Sequence, residues 1–174
     1  MKKVRLVLTL ILLSNFTFSQ NKETIDKKEI KQILNSFMEC IVKKDSIKFY
    51  NLFHNEPIVW IGVIKDKTQE VVLKKDSTKN NYFESTYKKF YGFISDTGTD
   101  EEKFYNIAIN EDGSIASVTF DYSFWKSKIK TNWGKESWGL VKINGKWKIT
   151  SVLFSLESEK INPEPKEKTA RLTK

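Results

Sequence analysis

The sequence is poor in residues that cross-link or punctuate a chain, with 1 Cys, 3 Pro and 7 Gly in 174 residues. A single cysteine excludes an internal disulfide framework, and so little proline and glycine excludes collagen-like and low-complexity architectures. Histidine occurs once, and one His, one Cys and scattered acids make no metal-ligand set, so neither a metal nor a cofactor is expected. Arginine is present only as Arg5 and Arg171, although the net charge is +8. A nucleic-acid binder would be expected to use the bidentate fork that Arg supplies and Lys lacks, so nucleic acid is not an expected partner. Also missing are a Gly-rich phosphate loop, G-x-S-x-G, H-E-x-x-H and Cys-x-x-Cys, which removes the motifs of nucleotide-binding, serine-hydrolase, zinc-protease and thiol-redox proteins. Lysine runs such as Lys74-Lys75 and Lys88-Lys89 read as a solvated face.

Long apolar runs are scarce as well. Leu6 to Leu13 is about half the length a bilayer span of ~20 residues needs. It follows the basic Lys2, Lys3 and Arg5 and precedes small residues, Thr17 and Ser19, that suit a cleavage site before Gln20. Residues 1–19 are therefore expected to be a signal peptide, the mature chain secreted or periplasmic and off the membrane once cleaved; an uncleaved anchor or an amphipathic start is the alternative. No Cys follows the run, so a lipoprotein anchor is not available. A lone Cys40 in an oxidising compartment is expected to be a small buried side chain.

What is present is 39% apolar and 30% charged, enough for one globular domain, placed at residues 20–157. Ile30, Ile33, Leu34, Phe37, Met38, Ile41 and Val42 recur at helical spacing and predict a helix from Asp26 to Lys44. Asp45 is a suitable N-cap for a short helix from Ser46 to Phe53, and Pro57 stops it. Ile58 to Ile64 reads as a strand. Residues 65–81 are polar and ambiguous, with a short strand at Val71 to Leu73, and Phe83, Tyr87, Phe90 and Ile94 predict a third helix from Tyr82 to Phe93.

The second half changes period. Lys103–Asn110, Ile115–Lys126, Trp133–Ile143 and Lys146–Leu156 are rich in β-branched and aromatic residues, and Asp112-Gly113 and Asn144-Gly145 are two-residue hairpin signals. Two-residue loops put Ile107, Ile109, Val118, Phe120 and Tyr122 on one face and Phe104, Thr119 and Asp121 on the other. They likewise align Glu136, Trp138, Leu140, Trp147, Ile149 and Ser151 on the face toward the helices. Residues 158–174, with Pro163, Pro165 and mixed charge, read as a disordered basic tail.

Helices followed by an antiparallel meander predict an α+β domain with a long helix across a curved sheet. The long helix followed by Asp45, the strand Ile58–Ile64, the stretch Asp112-Gly113-Ser114-Ile115-Ala116-Ser117-Val118, and Trp138-Gly139-Leu140-Val141-Lys142 through Asn144-Gly145-Lys146-Trp147-Lys148-Ile149 to Phe154-Ser155 resemble the NTF2-like superfamily. They are most similar to its small SnoaL-like and DUF4440-like members, over roughly Ile25 to Glu157. The resemblance implies a cone-shaped fold that hosts isomerases, dehydratases, hydrolases, ligand-binding modules and association domains, so fold does not fix function. It implies that an enzyme would hold a carboxylate or His inside the cone as general base, with a Tyr or a protonated acid as partner. Members often carry polar or His side chains where this chain has Ser151 and Leu153, so a His base on the last strand is absent. The resemblance also implies pairing through the outer sheet face. A homodimer is therefore expected, through Phe104, Val141, Val152 and Phe154.

Glu136 is the foremost candidate catalytic residue, because a carboxylate among inward aromatics would have a raised pKa. The alternative is a rim charge paired with Lys135 or Lys128. His54 is a second candidate base, or else a solvated loop residue. Trp60, Tyr87, Tyr91, Phe120, Tyr122, Trp138 and Ser151 are candidate ligand-binding residues for a small apolar or aromatic molecule, although most aromatics are core. The leading expectation is a ligand-binding domain without turnover. A small-molecule isomerase, dehydratase or hydrolase and a protein-interaction domain are the alternatives; a deep pocket with an inward acid would favour the enzyme.

Overall fold

The computed structural model describes residues 23–165 apart from 56, 96 and 97. The expected signal peptide and residues 166–174 lie outside the described residues. Helix α1, Ile25–Lys43, buries Ile30, Leu34, Phe37 and Ile41 of the stripe read from the sequence together with Cys40, whereas Val42, at the stripe's end, is exposed. Thr24 caps it by accepting a hydrogen bond from the Lys27 N–H at 3.1 Å, and Lys44 ends it in the left-handed region at φ 57°. Asp45 then accepts from the Lys48 N–H and starts α2, Ser46–Tyr50.

Strand β1, Val59–Ile64, comes next. The ambiguous segment is a helix, α3, Asp66–Lys75, and not the short strand expected at Val71–Leu73. A polar anchor holds it where no apolar stripe could announce it: buried Glu157 accepts the Thr68 N–H at 3.0 Å and is also bonded by the Thr68 hydroxyl. The third predicted helix is shorter than expected. Tyr82–Glu84 is strand β2, paired antiparallel with β1, and the helix, α4, runs Tyr87–Ser95 after Thr86 accepts the Lys89 N–H.

Four long strands follow, β3 (Asp100–Glu111), β4 (Ile115–Lys126), β5 (Ile129–Ile143) and β6 (Lys146–Ser158). The open sheet has the order β2-β1-β6-β5-β4-β3, with β1 parallel to β6 and every other neighbour antiparallel. Helix α1 lies across its concave face. The result is an α+β cone, as expected. Asn144 and Gly145, at φ 50° and 74°, form the expected two-residue turn that pairs Ile143 with Lys146. At Asp112-Gly113 the loop is longer, because Asp112 accepts the N–H groups of Ser114 and Ile115 and Glu111 faces Ala116.

Two bulges change which residues face inward. Between Tyr105 and Ala108 the β3 strand carries an extra residue, with Asn106 at φ 53°. Phe104 consequently lies inside, with its ring centroid 4.3 Å from that of Phe120, and Ile107 is exposed. Between Gly139 and Leu140 on β5, two β6 residues span one step, so Trp138 faces Val152 and not Ser151. Val152 is buried in the core and Phe154 turns inward, whereas Ser151 lies on the other face and accepts the Gly139 N–H. The outer face expected to carry Phe104, Val152 and Phe154 therefore lacks all three.

The end of the cone nearest the Asn144-Gly145 turn is closed. Trp147 packs there with Leu140 and Ile149 in the buried core, and its indole N–H donates to Asp26 at 2.8 Å. Residues 158–165, assigned to the tail on sequence grounds, pack back against the opposite end: the Trp133 indole N–H donates to the Asn162 carbonyl, and Lys130 pairs with Glu159 and Glu164.

Candidate functional site

The inner face opens at that opposite end into a cavity of about 320 Å³, walled by Phe37, Trp60, Phe90, Tyr122, Phe124 and Phe154. Its walls come from both ends of the sequence. Phe37 is on α1, Trp60 on β1, Phe90 on α4, and Phe154 on β6 beyond the bulge. Phe83 of β2 stands over Gly62, where an added Cβ would lie 2.5 Å from the Phe83 ring and 2.6 Å from that of Phe154. Only a residue without a side chain lets both rings close over β1 there. Ser85, Lys89 and the exposed Phe93 line the mouth.

Two acids face this cavity. Glu136 on β5 and Glu102 on β3 are each 5% exposed and are hydrogen-bonded to one another. The Trp138 indole N–H donates to Glu136 at 2.6 Å, two residues along the same strand face. Burial pushes both carboxyls upward. Glu136 rises to about 7, restrained by the bonds from Trp138 and Glu102, whereas Glu102 is pushed well above the carboxylate range by burial and by the neighbouring Glu136. Two acids this close titrate as a pair, and burial together with their mutual hydrogen bond favours keeping a proton between them.

Tyr122 completes the polar lining. Burial, with the negative charge of the acid pair, keeps its phenol protonated, and its hydroxyl donates to the Ser155 carbonyl at 3.0 Å. That carbonyl approaches β5 so closely that a Cβ on Gly134 would sit 1.9 Å from its oxygen, so glycine at 134 is what lets β6 reach the tyrosine.

Of the residues singled out in the sequence, Glu136, Trp60 and Tyr122 line the cavity. Trp138 touches it only through Glu136. Phe120, Tyr87 and Tyr91 are buried in the core and do not line it. His54 is exposed, hydrogen-bonded through its backbone N–H to Ile149, and outside the site, while Ser151 stands on the opposite sheet face. The cavity acid that sequence reasoning missed is Glu102. It precedes the strand start assigned at Lys103, and it shares a face with Phe104, which alternation without the bulge assigned to the outside.

No family model matches the sequence, and no curated protein shows significant similarity to it. Solved structures do resemble it. An NTF2-like protein of unknown function from Pseudomonas putida aligns over 76% of this chain and 87% of its own, at 12% identity and TM-score 0.56. A candidate scytalone dehydratase from Novosphingobium aromaticivorans aligns over 76% and 85%, at 15% identity and TM-score 0.56. The beta subunit of a candidate aromatic-ring-hydroxylating dioxygenase from the same organism aligns over 77% and 90%, at 9% identity and TM-score 0.57. Identities this low speak to architecture alone, and on that architecture, with its helix-covered open sheet and its cavity between them, the chain has the NTF2-like fold.

Proposed function

We propose that the protein binds a small ring-bearing molecule in this cavity and that the Glu136–Glu102 pair moves a proton to and from it. The observation that carries the reading is a pair of buried acids, hydrogen-bonded to one another, that line an aromatic pocket. A general base works best with a pKa near the operating pH, and burial brings Glu136 to about 7. In the resting state Glu136 is the acceptor. When its carboxylate takes a proton from a carbon next to a carbonyl, the pair holds two protons, and returning one to the substrate or to solvent restores it. Proton abstraction of this kind begins carbonyl isomerisations and β-eliminations of water, and one structure of similar fold is that of a candidate scytalone dehydratase.

Exchange of carbon-bound hydrogen for deuterium reads this step without knowledge of the natural substrate. Tetralone, a neutral bicyclic ketone, incubated in D2O with the protein should gain deuterium beside its carbonyl faster than in buffer. Glu136→Gln should remove at least 90% of that acceleration. Binding of tetralone without accelerated exchange would leave a ligand-binding domain without proton transfer.

A further inference from the structure

The cavity carries opposite charge at its two ends. At the depth, the acid pair keeps one negative charge once its first proton is lost. At the mouth, Lys89 lines the opening beside Ser85 and has no acidic partner among the described residues. A second lysine, Lys126, lies 5.3 Å from the ring centroid of Phe93, another mouth residue. Apart from Lys89 and the two acids the lining carries no charge, being mostly aromatic with Ser85, Leu156 and the Asn132 amide, so a ligand charge held elsewhere in the cavity would meet no opposite charge. A cationic ligand would be attracted to the acid pair, but it must pass Lys89 and Lys126 at the mouth. An anionic group driven to the bottom would meet the pair's own charge in a dry site. The arrangement that satisfies both ends has a neutral reacting end inward and an anionic end at the mouth.

We infer that the ligand is a monoanionic amphiphile: an apolar ring system whose carboxylate stays at the mouth on Lys89 while its neutral end meets Glu136 and Glu102. The orientation rests on the proton-transfer reading above; the choice of an anion rests on the lysine. The lysine adds selectivity for charge, as a point charge in a wet rim and not as a bidentate clamp.

The test compares naphthoate, naphthylmethanol and naphthylmethylammonium, which share one ring system and differ in charge, by calorimetric or fluorescence titration at low salt. The carboxylate should bind at least tenfold tighter than the alcohol, and the ammonium most weakly. Lys89→Ala should abolish the preference for the carboxylate over the alcohol, and 0.5 M salt should shrink it. Lys74→Ala, on α3 away from the mouth, should preserve it and so separates a local from an overall charge effect. Equal affinity for carboxylate and alcohol, or an unchanged preference in the Lys89 variant, overturns the inference and leaves the proton-transfer reading standing. Failure of all three naphthalenes to bind overturns the inference too and removes the cavity-binding reading with it.

Discussion

The two ends of the cone are built from the same strands by different rules. Around the Asn144-Gly145 turn, alternation along β5 and β6 is regular, and Leu140, Trp147 and Ile149 are sealed against α1. Toward the open end the strands bulge, a turn is made by Ser127 and Lys128 at φ 49° and 67°, and two acids are buried among aromatics. The closed end follows the local preferences of its residues. The open end departs from them repeatedly, with Ser127 and Lys128, residue types not favoured there, in left-handed conformations and two carboxyls taken out of water. Such departures persist only where the surrounding structure enforces them, and here they surround the cavity that both acids line.

If the closed end is where stability resides, Trp147→Ala should have the largest effect. It removes a buried indole and its hydrogen bond to Asp26, and should lower unfolding free energy by about 3–5 kcal/mol in denaturant titration. A midpoint that barely moves would break the comparison at its stronger side.

Glu136→Gln should act in the opposite direction. Because the folded-state pKa of Glu136 lies above its unfolded value of 4.5, the fold is not penalised below about pH 4.5 and loses stability as pH rises through about 7. The substitution should remove that loss, stabilising the protein at pH 8 by up to about 3 kcal/mol and flattening the fall in Tm between pH 5 and pH 8. A Tm that is flat with pH in the unsubstituted protein would mean that the open end carries no burial penalty.

The smallest effect on stability is expected from Gly62→Ala, which sharpens the comparison by testing how much the open end can yield. The new methyl must displace the Phe83 and Phe154 rings. Because these are side chains beside a cavity and not close-packed backbone, the cost should be only about 1–2 kcal/mol, while naphthoate affinity falls more than fivefold as the rings are pushed into the pocket. A cost equal to that of Trp147→Ala would show the open end to be packed as tightly as the closed one.

Much of this plan could be read from the residues. The α1 stripe, the Asp45 cap, the Asn144-Gly145 turn and the alternation from Glu136 to Trp138 are local signals, and each stands where expected. Glu136 was legible because only the parity of its own strand matters. Helix α3 was not, since what holds it is a hydrogen-bonded contact between Thr68 and Glu157, 89 residues apart. The start of β5 was hidden for a related reason: Ser127-Lys128 lacks the Gly, Asn or Asp that favours positive φ, and pairing between β4 and β5 holds both residues there.

The sequence by itself determined the class of the fold, the closed half of the core and one inward acid, because helical and strand periodicity and a strong turn are properties of short stretches of chain. Only the tertiary structure decided the site. A bulge shifts alternation by one residue, and the shift at Asn106 carries Phe104 and Glu102 inward just as the shift beside Gly139 carries Val152 and Phe154 inward and Ser151 out. Such a shift depends on strand pairing and on the curvature needed to cover α1, neither of which is encoded in any single segment.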